Sequence, residues 1–146
     1  MLPNFAYAIA LVFGTVFVHV GCTLLVLWAL HSVHAHHWVF RSYVSRASAL
    51  AALVCLMSLA AFAEAALWAG FYVWVDALPS FQQALYFSLV TFTTLGYGDV
   101  TLDEQWRILG AFQAANGILM FGWTTALLVA VSQRLVQRRG RGAGDS

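Results

Sequence analysis

The sequence predicts an all-α membrane protein with three helices that span the bilayer and a shorter helix that enters it without crossing. Three observations predict this. The chain is 62% hydrophobic and 9% charged and contains no lysine, so it has too little charge to cover a soluble globule of its size. Its apolar residues gather in three long runs, 5–30, 47–75 and 105–133. Between the second and third runs lies a helical segment at 81–92, roughly 18 Å long at 1.5 Å per residue and so too short for a hydrocarbon core of about 30 Å.

Residues 5–30 would make roughly 39 Å of helix, enough to span with some tilt. The segment lacks a basic n-region and is followed by no convincing small-residue cleavage pattern, so it reads as a spanning helix rather than a secretory signal peptide. A polar joint follows at 31–46, rich in His31, His34, His36 and His37. The second run, 47–75, is broken by Asp76, Pro79 and Ser80. Ser80 with Gln83 three residues later reads as a capping box, and Pro79 discourages helix ahead of it, which starts the short helix at about 81. Asp103 and Glu104 are expected in the first turn of the third spanning helix, whose end is marked by Arg134, Arg138, Arg139 and Arg141. Three units result: 1–46, 47–135 and a short tail at 136–146. Cys22 and Cys55 both fall inside apolar runs, where thiols are usually inert packing residues.

Between the short helix and the last run stands Thr91-Phe92-Thr93-Thr94-Leu95-Gly96-Tyr97-Gly98-Asp99. A chain that turns successive carbonyls toward one axis needs positions with φ > 0, which Gly96 and Gly98 supply in alternation with Leu95 and Tyr97. The Thr94 hydroxyl adds a further oxygen, and the larger side chains would pack away from the axis. This stretch resembles the Thr-Val-Gly-Tyr-Gly-Asp signature of the tetrameric potassium channel family, with Leu95 where valine is usual. The resemblance covers about residues 48–135 and leaves the first helix outside. It implies a potassium-selective channel subunit rather than an enzyme, with K+ coordinated by carbonyls of Thr94, Leu95, Gly96 and Tyr97, Gly98 permitting the outer bend, and Thr93 and Asp99 supporting the loop.

One such loop per chain cannot close a ring, and no internal repeat supplies a second, so the resemblance implies a homotetramer. The second helix would then be the outer helix, the third the inner one, and the first an extra helix at the periphery. Arg41, Arg46 and the four tail arginines fall on one side against Arg107 on the other, which makes the joint and C-terminus cytoplasmic and the N-terminus external. The expected location is a plasma membrane, in a short chain of prokaryotic type. Beyond lipid and its own copies no partner is expected, neither nucleic acid nor soluble protein, and no cofactor other than the permeant ion.

Several side chains are candidates for more specific roles. Tyr86 and Phe87 stand where many family members carry an aromatic pair bracing the loop, and Tyr86 is placed to bond Asp99; Val90 stands where some relatives carry a buried glutamate. Gly117 and Gly122 are hinge or close-packing glycines of the inner helix. Asn116 is read as lining a water-filled cavity, with an interhelical hydrogen bond as the alternative, and Gln113 is a second polar group at membrane depth. Glu64, the one carboxylate deep in a span, lies at a depth similar to His19, and a contact between them would tie the first helix to the rest and respond to pH. His31, His34 and His37 are spaced three apart, which with His36 suits a proton switch or a metal as well as a solvated interface.

Two features are missing. No span carries arginines at every third residue, so a voltage sensor is not expected, and the tail is too short for a ligand-binding domain. The rival readings are a weakly selective cation channel, a non-conducting accessory subunit, and a haem protein using histidines of residues 19–37. The last would need facing histidines on different helices, whereas only His19 lies in the core of a span.

Overall fold

The computed structural model describes residues 2–34 and 42–141. Among them are four helices: α1 (Leu2–His34), α2 (Tyr43–Trp74), α3 (Phe81–Phe92) and α4 (Arg107–Arg141). Three contain stretches long and apolar enough to cross a membrane, Asn4–Ala29, Tyr43–Trp74 and Arg107–Arg134, with mean hydropathy of 2.3, 2.2 and 1.6. This is an integral membrane protein.

The ends of the helices follow local chemistry. α2 starts four residues before the expected 47, because Ser42 caps it: in extended conformation (φ −90°, ψ 148°), its side chain accepts the Val44 N–H. At the other end Asp76 does more than break the run. It takes a left-handed φ of 54°, its N–H donates to the Val73 carbonyl, and the Ala77 N–H donates to the Tyr72 carbonyl. That is a Schellman closure with aspartate where glycine is usual. Ser80 caps α3 as expected, accepting the Gln83 N–H.

α4 departs from expectation at both ends. Asp103 and Glu104 precede it, in a turn closed by the Trp106 N–H on the Asp103 carbonyl, rather than sitting in its first turn. The helix then continues past residue 133 to Arg141, because arginine is a good helix former and no proline stops it. Most of the expected tail is therefore helical.

α2 and α4 form the central pair, and both α1 and α3 pack against them. Apolar contacts form three clusters. Trp68, Tyr72, Phe87 and Leu109 fill one end; Val26, Leu53, Met57 and Val131 fill the other; Ala65, Phe92 and Met120 lie between, against the end of α3. Within lipid, apolar packing alone gives helices little reason to associate, so close van der Waals fit and buried polar contacts carry more of the specificity.

Candidate functional site

The loop after α3 is built from the carbonyl end of that helix. The Thr93 N–H and hydroxyl both bond the Leu89 carbonyl, at 3.0 and 2.7 Å, and the Thr94 N–H bonds the Thr91 carbonyl at 2.9 Å. The N–H groups of Leu95 and Gly96 both return to one acceptor, the Val90 carbonyl, at 2.9 and 3.2 Å. In a trans peptide the carbonyl points opposite to the following N–H, and no peptide here is cis. The carbonyls of Thr94 and Leu95 therefore face away from α3.

Backbone hand alternates along the same stretch. Thr94, Gly96 and Gly98 have φ of 61°, 59° and 78°, while Leu95 and Tyr97 are not positive. Such alternation turns successive peptide groups to a common side. Thr94 adopts this hand despite a branched Cβ, at a cost of about 1–2 kcal/mol. Its conformation is not evident from residue type; the clue is its even register with the two glycines. The Val90 carbonyl, which ties the loop to α3, has no side-chain signal at all.

Thr93 to Asp99 are all exposed in the single chain, including Leu95 at 55% and Tyr97 at 67%. The Tyr86 hydroxyl donates to Asp99 Oδ2 at 2.6 Å, as the sequence suggests. That bond holds the Asp99 carboxyl below the usual carboxylate range and pushes the Tyr86 phenol up. In the single chain Phe87 points to another side of α3 than Tyr86. Neighbours on a helix point about 100° apart, and Phe87 instead meets the Tyr72 ring at 5.4 Å, edge to face.

Two residues of α4, Gly117 and Gln113, support α3 from behind. A Cβ on Gly117 would overlap the Phe92 carbonyl, so this glycine is a point of close approach between α4 and the end of α3. Gly122 has open space around it. Buried Gln113 donates to the Ser88 carbonyl at 3.4 Å and accepts the Tyr72 hydroxyl at 2.9 Å, joining α2, α3 and α4.

Asn116 corrects the sequence reading. It is 1% exposed, and its side-chain amide donates to the Thr15 hydroxyl of α1 at 2.7 Å. In the described chain it serves the interhelical bond rather than a cavity, because α1 lies over that face of α4 and offers an oxygen to the amide. The His19–Glu64 contact is present, with Nδ1 2.9 Å from Oε1. His31 and His34 lie in the last turn of α1, while His36 and His37 lie outside the described residues.

Comparison with protein families matches residues 56–134 to a family described as ion channel. Comparisons with curated proteins and with solved structures gave no match.

Proposed function

Because the chain belongs to the ion channel family, with the match running from the middle of α2 to Arg134 and so including the Thr93–Asp99 loop, we propose that it is a potassium-selective channel subunit whose filter is that loop. One observation carries the reading. The N–H groups of Leu95 and Gly96 are both spent on the Val90 carbonyl while backbone hand alternates through Thr94, Gly96 and Gly98. This turns the Thr94 and Leu95 carbonyls away from α3, as the start of a row of backbone oxygens of the kind that replaces the hydration shell of K+. Thr94, Leu95, Gly96 and Tyr97 supply those oxygens, Gly98 allows the outer bend, and Thr93, Tyr86 and Asp99 hold the loop.

The pore is a homotetramer. One loop has carbonyls on a single side and cannot surround an ion, and the exposure of Leu95 and Tyr97 in the lone chain supports walls supplied by neighbouring copies. α3 is the re-entrant pore helix, and its carbonyl end favours a cation. The N-terminus lies outside and the C-terminal arginines inside, by the charge balance of the joining segments.

The test is K+ and Na+ flux through purified protein in liposomes, with Gly96→Ala alongside. K+ flux exceeding Na+ flux and vanishing in the variant is the expected result, since alanine is strained at φ 59°. Equal fluxes would point to a weakly selective cation channel, and no flux from assembled tetramers to an accessory role.

A further inference from the structure

All of α1 precedes the matched residues 56–134, yet it is fastened to the others by buried polar side chains. Thr15, His19 and Thr23 recur every four residues along one face and are 0%, 1% and 8% exposed. Thr15 accepts from Asn116 of α4. His19 joins three helices at once: Nδ1 meets Glu64 of α2 at 2.9 Å, and Nε2 lies 3.4 Å from the Thr124 hydroxyl of α4. The Trp123 ring of α4 covers the imidazole, with centroids 5.6 Å apart.

Glu64 is fully buried, and its second oxygen, Oε2, has no hydrogen-bond partner among the described residues. In such a place the pair is least costly when it carries one proton between ring and carboxyl, because either arrangement of that proton has no net charge. Loss of the proton leaves a bare carboxylate beside a neutral ring. A second proton must go to Oε2, which has no acceptor, and leaves an uncompensated imidazolium. Both changes put net charge into a site walled by helix, and both disfavour the packing of α1 between α2 and α4.

We infer that His19 and Glu64 form a one-proton binding site through which α1 latches α4 to α2, and that a change in its proton content releases α4. Of the titratable groups facing His19, α2 presents Glu64. α4 presents Thr124 and Trp123, which carry no charge in the working range. On α1 itself Cys22 lies one turn away, in the cluster of Val26 and Met57. Tyr72, two turns from Glu64 on α2, is engaged by Gln113.

The experiment uses the full chain and two readouts. K+ flux in liposomes and the melting temperature of the detergent-solubilised protein are followed from about pH 4.5 to 8.5. Wild type is compared with the double variant His19→Gln/Glu64→Gln, which keeps an interhelical amide bond but no exchangeable charge. Wild-type flux is expected to change by about fivefold or more across the range, with melting highest where the pair holds its single proton and lower where it has lost that proton or gained a second, while the double variant lacks this pH-dependent component in both. A double variant that titrates like wild type, or a wild type flat in both readouts, would overturn the proposal. The current readout rests on the channel reading and the melting readout does not. Melting that behaves as expected without flux at any pH would uphold the latch and count against the channel.

Discussion

The Thr93–Asp99 loop and the contact layer of α1 are both held by hydrogen bonds, but of opposite kinds. In the loop the bonds are mainly backbone to backbone, run to a helix only a few residues earlier, and leave the side chains exposed. In the α1 layer they are side chain to side chain, join residues far apart in sequence, and are fully buried. A backbone-held loop tolerates a change of side chain as long as φ is respected, which is why Leu95 can replace the usual valine. The side-chain layer has no such tolerance, because each removed group leaves a buried partner unsatisfied.

Substitutions separate the two. The largest effect is expected at Gly117, where the regions meet. Gly117→Ala forces a Cβ against the Phe92 carbonyl, costing about 1–3 kcal/mol, and displaces the end of α3, so both melting temperature and K+ selectivity should fall. Gly122→Ala, with open space around it, should leave both close to wild type in the same assays. Next, Gln113→Leu strands the buried Tyr72 hydroxyl, at about 1–3 kcal/mol by thermal melting. Adding Tyr72→Phe should restore most of that loss, because both polar partners are then gone. An unrestored double variant would mean that Gln113 acts mainly through the Ser88 carbonyl and hence through α3.

Smaller effects test the loop side. Ser80→Ala removes the cap of α3 and should cost about 1 kcal/mol of stability with selectivity kept. Tyr86→Phe is expected to change stability least. Its signature is a rise of the Asp99 carboxyl toward the ordinary value of about 3.9, read by infrared or NMR titration. Since Asp99 is held low in the native chain, its bond to Tyr86 is fully present above the ordinary range and is lost as pH falls through the lowered value. An unchanged Asp99 titration in the variant would show that the loop backbone, not the phenol, holds the carboxyl.

The same contrast explains what could be read in advance. Apolar runs report their own spans, and Pro79 with Ser80 sets the start of α3, so the number of helices and the short α3 were legible. The Ser42 cap was missed because it sits inside a polar joint, where one more serine draws no notice. Asn116 was misplaced because one helix shows which residues are polar but not which face a second helix covers. Glu64 and His19 could be paired because depth follows from counting turns, and few groups at that depth can answer a carboxyl. Thr94 gives no residue-type signal of its positive φ, and only its alternation with Gly96 and Gly98 points to it.

The close approach at Gly117 divides α4 into unequal arms. Beyond it run Ile118 to Arg141, roughly 36 Å of helix at 1.5 Å per residue, ending in arginines. The contact with the Phe92 carbonyl stands as a fulcrum directly before the Thr93–Asp99 loop. A tilt of the long arm that swings its far end by several ångströms moves the fulcrum by only a fraction of that, and so the same helix can carry a wide motion at one end and a fine adjustment of the carbonyl row at the other.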